Sequence, residues 1–300
     1  MPKVWYVAIV GRPNAGKSTL LNALIWEKVS AISHRPQTTQ RSIPGIYTDE
    51  EKWVQIIFLD TPGIHNQSWE QYGSQKTYDI HERINSEAYA SLHSADVILR
   101  LLDPTRTYGE EDDRIDTLLE KIQKPVIRIE TKQDMENKSY PQKWVDLRID
   151  SVARTGFDVL LWKIIEYLPE GPFLYEADYY TDQPMDLRIT EIIRERLFLE
   201  LGDEIPYASY VEVTQIEEKW GESEKILPML SIQAYINVES DSQKTIVIGK
   251  WGAKIQKIGT ETRIILEEIF GKKVFLALRV KTHKNWRKDQ KTLDKIFPKR

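Results

Sequence analysis

The chain reads as an α/β domain on a mostly parallel, six-stranded sheet, followed by a smaller α+β domain. Three observations predict this. From Val4 to Tyr167, strand-length apolar runs alternate with helix-length stretches, the signature of βαβ units. The alternation stops at Leu168-Pro169-Glu170-Gly171-Pro172, where two prolines and a glycine cannot continue a helix. Beyond it, runs alternate apolar and polar residues, as half-buried antiparallel strands do. The expected bounds are 1–172 for the first domain, 173–185 for a linker and 186–300 for the second domain.

In order, strands are expected at 4–10, 45–48, 53–59, 97–102, 126–130 and 147–150, with helices at 18–25, 83–92, 111–122 and 156–167. In the second part, 186–201 carries apolar residues at helical spacing: Leu187, Ile189, Ile192, Ile193, Leu197 and Leu201. Strands follow at 210–217 and 231–238, with 219–228 as an exposed loop between them. Two helices meet near 249–252, Gly271 caps the second, and 274–280 is the last strand, giving the order α-β-β-α-α-β.

Composition is that of a globular protein, with 41% hydrophobic and 29% charged residues. With no cysteine, disulfides, thiolate catalysis and cysteine-bound zinc are excluded, which fits a cytoplasmic location. The five histidines, His34, His65, His81, His93 and His283, show no metal-ligand spacing. No apolar run is long enough to span a bilayer, and the opening Met1-Pro2-Lys3 does not begin a signal peptide. The net charge of −4 conceals a division: residues 244–300 hold 16 Lys/Arg against 5 Asp/Glu, and the remainder 26 against 41. A basic terminal block on an acidic chain points to a polyanionic partner.

The run Gly11-Arg12-Pro13-Asn14-Ala15-Gly16-Lys17-Ser18 fits G-x-x-x-x-G-K-[ST] between a buried strand and a helix. Its N–H groups and the helix dipole would cradle phosphate oxygens, from Asn14 through Thr19. Lys17 would reach the β- and γ-phosphates and Ser18 would ligate Mg²⁺. Asp60-Thr61-Pro62-Gly63 ends the third strand, where Asp60 would hold the Mg²⁺ water shell and the Gly63 N–H would approach the γ-phosphate. Thr131-Lys132-Gln133-Asp134 follows the fifth strand. Asp134 there would accept from the guanine ring N–H and amine together, a donor pair adenine lacks, selecting GTP over ATP. Lys132 would cover the base with its stem and bond back to the phosphate loop. In the second part, Gly249-Lys250-Trp251-Gly252 is a G-x-x-G loop between helices, letting backbone approach a single-stranded nucleic acid. Lys250, Lys254 and Lys257 add charge, and Trp251 is either a base platform or simply an exposed loop aromatic.

Taken together these motifs resemble the bacterial Era family of GTPases. The resemblance rests on Gly11-Arg12-Pro13-Asn14-Ala15-Gly16-Lys17-Ser18-Thr19-Leu20-Leu21-Asn22, Pro36-Gln37-Thr38-Thr39, Asp60-Thr61-Pro62-Gly63-Ile64-His65, Thr181-Asp182-Gln183-Pro184 and Val247-Ile248-Gly249-Lys250-Trp251-Gly252-Ala253-Lys254-Ile255. It implies a P-loop GTPase domain and a KH type II domain. It makes Thr39, with Thr38 as the alternative, the switch residue that closes on Mg²⁺ and γ-phosphate. It places Ile64 where other GTPases carry a catalytic glutamine, so turnover would be slow unless stimulated. Some relatives supply charge with a potassium ion held by the asparagine that matches Asn14, so the resemblance allows a potassium site here. It further implies a switch in small-subunit maturation that grips single-stranded rRNA near the 16S 3′ end on the 30S subunit, through Lys281, Trp286 and Arg287 besides the G-x-x-G loop. Trp286 is either a base platform or an anchor of the last helix in the core. A monomer, with at most weak peripheral membrane association, completes the expectation.

Three positions depart from the family pattern. Thr131 stands where an asparagine is usual. The base loop reads Val152-Ala153-Arg154, in which the Ala153 N–H would meet guanine O6 and the usual serine hydroxyl is shifted to Ser151 or lost. Arg100 and Arg128 lie within core strands, which are normally apolar. Arg128 and Glu130 share a strand face, so Glu130 is expected to pair with one or both arginines. These departures keep a rival open, an RNA-binding module with a degenerate, nucleotide-unresponsive GTPase domain. A P-loop enzyme using ATP is the other rival, and a membrane-surface protein a weaker third.

Overall fold

The computed structural model describes residues 2–32, 41–63, 80–135, 145–201, 205–219 and 228–297. The chain forms two compact units, Met1–Asp182 and Gln183–Arg300. No helix among the described residues is long and apolar enough to cross a membrane.

The first unit holds β1 (Lys3–Gly11), α1 (Lys17–Ile25), β2 (Ile43–Asp49), β3 (Val54–Asp60), α2 (Ile80–Ser94), β4 (Val97–Leu102), α3 (Glu110–Ile122), β5 (Val126–Glu130), β6 (Leu147–Arg148) and α4 (Phe157–Tyr167). The six strands run in the order β2-β3-β1-β4-β5-β6. Only β2 is antiparallel to its neighbour. The central strands are apolar because both faces are covered. Val7 and Ile9 of β1 pack with Leu20 and Leu24 of α1, Leu99 of β4 and Leu160 and Ile164 of α4. Their neighbours Ala8 and Val10 face the other way, onto Ala88 and Leu92 of α2 and Ile115 and Leu119 of α3. Truncating one of these leucines to alanine costs about 2–5 kcal/mol.

Residues 173–182, read from the sequence as the start of a linker, belong to this unit. Gln55, fully buried on β3, accepts from the Leu174 and Tyr175 N–H groups at 2.8 and 3.0 Å and donates to the Tyr175 carbonyl at 2.9 Å. The Thr181 hydroxyl donates to the Pro44 carbonyl at 2.7 Å. Phe173 and Tyr175 cover Val4, Ile46, Ile57 and Leu59.

The second unit runs α5 (Met185–Glu200), β7 (Ser209–Lys219), β8 (Met229–Val238), α6 (Asp241–Ile248), α7 (Ala253–Phe270), β9 (Lys273–Thr282) and α8 (Gln290–Ile296). The α-β-β-α-α-β order is present, with α8 added. β8 is central, antiparallel to β7 and parallel to β9. Its inward residues Ile232, Ala234, Ile236 and Val238 pack against Ile189, Ile193 and Leu197 of α5 and Ile258 and Leu266 of α7. Most of the loop expected at 219–228 lies outside the described residues.

Candidate functional site

Parallel strands in register bring several chain segments to one edge of the first sheet. Ile9 lies opposite Asp60, Gly11 opposite Leu101 and Leu102 opposite Glu130, so the loops after β1, β3, β4 and β5 open together. That carboxyl edge is where open α/β sheets bind ligands.

Residues 11–16 form the loop that feeds α1. Lys17 is buried at its end, and its Nζ donates to the carbonyls of Gly11 and Arg12 at 3.1 and 2.9 Å. Burial pushes the ammonium down to about 8; Asp60 pulls it back up and Arg100 pushes it further down. A phosphate arriving here would meet a cation held by two weak partners it can outcompete. Asn14 takes a left-handed backbone conformation, Ala15 is buried, and Thr19 is half-buried on α1.

Asp60, fully buried at the end of β3, accepts from the Ser18 and Ser30 hydroxyls, each at 2.6 Å. Ser18 and Asp60 are thus brought together, and their hard oxygen donors fit Mg²⁺. Ser30 is an addition that the sequence did not single out. Asn22 delivers it by accepting from the Val29 and Ser30 N–H groups at 2.9 and 2.8 Å. Thr61 anchors the next turn by donating to the Ile9 carbonyl at 2.7 Å. Gly63 runs so close to the phosphate loop that an added Cβ would lie 3.0 Å from Pro13 Cγ and 3.2 Å from its Cα. A side chain would force the two loops apart. Thr38, Thr39 and Ile64 lie outside the described residues.

The base side differs from expectation at three points. The Thr131 hydroxyl donates to the Ala15 carbonyl at 3.0 Å and lies 3.2 Å from that of Leu102. Thr131, not Lys132, thus bonds back to the phosphate loop. Lys132 donates instead to Asp103 at the end of β4, at 2.7 Å. Burial raises the Asp103 carboxyl, but Lys132 and Thr105 outweigh it and hold it below the ordinary range. The Ala153 N–H, expected to meet guanine O6, donates to Asp150 at 2.9 Å, as the Val152 N–H does at 2.8 Å. An Asx-type turn has formed because Asp150 precedes two N–H groups it can reach. The Ser151 hydroxyl is buried without a hydrogen-bond partner among the described residues. Asp134 is exposed, as a base-reading carboxylate must be. The Arg154 guanidinium stacks 3.3 Å above the exposed ring of Trp26, at the end of α1.

Arg100 also finds other partners. Arg100 is fully buried, yet Glu130 is not its counter-ion. Its Nη2 donates to Asp112 at 2.8 Å and its Nε to Asp116 at 3.0 Å. Strand parity puts Arg128 and Glu130 on one face, and the β4–β5 register sets Arg100 beside Arg128. The opposing layer decided the pairing, because Asp112 and Asp116 are one helical turn apart on α3. Glu130 accepts from Arg148, its in-register neighbour on β6, at 2.9 Å.

In the second unit, Gly249-Lys250-Trp251-Gly252 joins α6 to α7 through a 3-10 turn. Gly249 has φ 74°, and a Cβ there would strike Lys254 at 2.8 Å, so glycine is required. Trp251 is 94% exposed. Lys250 and Lys254 are exposed as well. The other predicted cations are engaged. Lys257 pairs with Glu200 at 2.7 Å, Arg287 pairs with Glu239, and Lys281 lies 3.3 Å from the centroid of the Tyr235 ring. Trp286 is fully buried, donates from Nε1 to the Ala208 carbonyl at 3.2 Å and packs 4.7 Å from Tyr210. Of its two readings the core anchor is the correct one, and no ring face is left for a base.

Comparison with known proteins gives two domains and whole-chain relatives. The family described as 50S ribosome-binding GTPase matches residues 6–132, and the KH domain family matches 204–287. GTPase Era of Thermoanaerobacter sp. (strain X514) is 39% identical over 309 residues, covering 98% of this chain and 96% of that protein. GTPase Era of Caldanaerobacter subterraneus is 40% identical over 302 residues, covering 97% and 96%. Among solved structures, an Aquifex aeolicus Era variant bound to GDP·AlF4⁻ is similar at 34% identity and TM-score 0.85, covering 99% of both chains. Era in complex with MgGDPNP and nucleotides 1506–1542 of 16S ribosomal RNA is similar at 35% identity, TM-score 0.85 and the same coverage.

Proposed function

Because the chain belongs to the Era family of GTPases, we propose that it is a GTP-hydrolysing switch that binds single-stranded RNA of the small ribosomal subunit. The observation that carries this reading is one sheet edge where phosphate-binding, magnesium-binding and base-reading groups converge. The phosphate loop, Ser18 with Asp60, and the Thr131–Asp134 segment all open there.

The residues divide the work. N–H groups from Asn14 to Thr19 and the Lys17 ammonium bind the phosphates. Lys17 exchanges its two carbonyl partners for phosphate oxygens, and the added negative charge favours its protonated form. Ser18, Asp60 and Thr39 would hold Mg²⁺, which when bound neutralises charge on the β- and γ-oxygens. The Gly63 N–H lies beside the phosphate loop, where it can donate to the γ-phosphate as water attacks in line. Asp134 reads guanine. Thr131 stiffens the base loop against the phosphate loop, which supports a working site over a degenerate one.

The nucleic-acid side would use Gly249, Gly252, Lys250, Lys254 and Trp251, with backbone against phosphates and the indole under a base. Bound GTP would favour the RNA-holding state and hydrolysis would release it. We further propose a cytoplasmic monomer that acts on the 30S subunit, with potassium at Asn14 and weak peripheral membrane contact as the finest parts of this reading.

Competition by GTP and ATP for the purified chain, with phosphate release measured in K⁺ and in Na⁺, tests the enzyme reading. We expect strong GTP preference and slow release. Equal competition by ATP favours another P-loop enzyme, and RNA binding without any GTP turnover favours the degenerate module.

A further inference from the structure

The phosphate loop has one side chain that the chemistry above does not use. Arg12 points away from the phosphate cradle and is almost wholly buried. Its Nη1 donates to Asp112 Oδ2 at 2.7 Å and to the Thr107 carbonyl at 3.0 Å, and its Nε donates to Glu111 at 2.8 Å. Asp112 is fully buried. It divides its two oxygens between two arginines, Oδ2 to Arg12 and Oδ1 to Arg100. It also accepts from the Gly109 N–H at 3.2 Å, closing the first turn of α3. Arg100 is braced further by Asp116 and by the Leu101 carbonyl, at 3.0 and 2.8 Å.

A buried ion network of this size is poor evidence of stability, because an apolar replacement of equal volume is often as stable. Its geometry has a different effect. The forked guanidinium of Arg12 fixes the direction of the loop's first peptide units, and the Lys17 ammonium rests on the carbonyls of those same units, Gly11 and Arg12.

We propose that Asp112, braced by Arg100, is a positioning residue that clamps Arg12 and thereby holds the phosphate loop in its nucleotide-ready shape. The inference rests on the proposed GTP site and deepens it. An unclamped loop must be ordered by the ligand itself, so affinity falls even where the apo chain remains folded.

The test is calorimetric titration of the full chain with GDP and Mg²⁺, alongside thermal melting of the nucleotide-free protein. Arg12→Met removes the clamp and leaves the Arg100–Asp112 pair intact. We expect GDP affinity, titrated well below the melting temperature of each variant, to fall about tenfold or more; the apo melting temperature falls as well, because Asp112 and Glu111 lose a buried counter-ion. Arg12→Lys, which keeps the charge but not the fork, should recover part of the loss. Arg100→Leu should lower affinity several-fold, and combining it with Arg12→Met should add little to the single loss, because both act through Asp112. Glu110→Gln, on the exposed side of the same helix and paired with Arg114 rather than with the network, should bind GDP as the wild type does. Unchanged GDP affinity in Arg12→Met, or independent multiplication of the two losses, overturns the clamp. If Arg12→Met does not fold, Arg12→Lys with wild-type affinity overturns it equally. A wild-type chain that does not bind GDP overturns the nucleotide site itself, a distinguishable result.

Discussion

The two units carry opposite kinds of site. In the first, apart from the exposed Asp134, the main functional side chains are buried or half-buried and already partnered by protein: Lys17 by two carbonyls, Ser18 by Asp60, Thr131 by Ala15, Lys132 by Asp103. In the second, the G-x-x-G loop stands in solvent, with Trp251 94% exposed and Lys250 and Lys254 exposed beside it. Buried polar groups with fixed partners discriminate, because a wrong ligand leaves them unpaired. An exposed indole and two ammonium groups tolerate sequence and depend on salt. The first unit is built to recognise one small molecule, and the second to hold a chain.

The sharpest contrast comes from substituting one residue in each unit. Lys17→Ala removes the buried cation, and hydrolysis should fall by about 10²–10³ or be lost with binding, measured by phosphate release. RNA binding by the isolated variant without nucleotide should survive. Trp286→Ala should cost about 3–5 kcal/mol of stability in the second unit, read as an early unfolding step in a urea titration. If Trp286→Ala instead weakened RNA binding without loss of stability, the core assignment of that indole would be wrong. Asp134→Asn should lower GTP affinity roughly a hundredfold and bring in xanthosine triphosphate, measured by competition. Trp251→Ala should weaken single-stranded RNA binding by about 1–3 kcal/mol in a filter-binding titration, with GTP turnover intact. Gly252→Asp should weaken it further in the same direction by adding a negative charge at the RNA backbone. Thr131→Asn is the smallest change, a few-fold at most in GDP affinity, because threonine already makes the tie to the phosphate loop.

Much of this was legible in the sequence, and the limits are physical. Strand and helix positions follow from apolar periodicity, and Gly11–Ser18 and Asp60–Gly63 follow from glycine and carboxylate placement that few other uses require. Parity places Arg128 and Glu130 on one strand face. It could not say which layer lies opposite, so Asp112 and Asp116 on α3 were missed and Arg148 was not paired with Glu130. Trp286 was undecided because an indole suits both a core and a base stack, and only the Ala208 carbonyl and the Tyr210 ring settle it. The turn that ties Ala153 to Asp150 and the bond from Lys132 to Asp103 depend on loop conformation, which spacing alone does not encode.

The central claim is that the buried sheet edge selects a guanine nucleotide. Titration of the intact chain with Mg²⁺·GTP in the presence of a large excess of ATP tests it most directly. Saturable heat with an affinity unaffected by ATP is the predicted result; displacement of GTP by ATP, or no heat with either nucleotide, would contradict it.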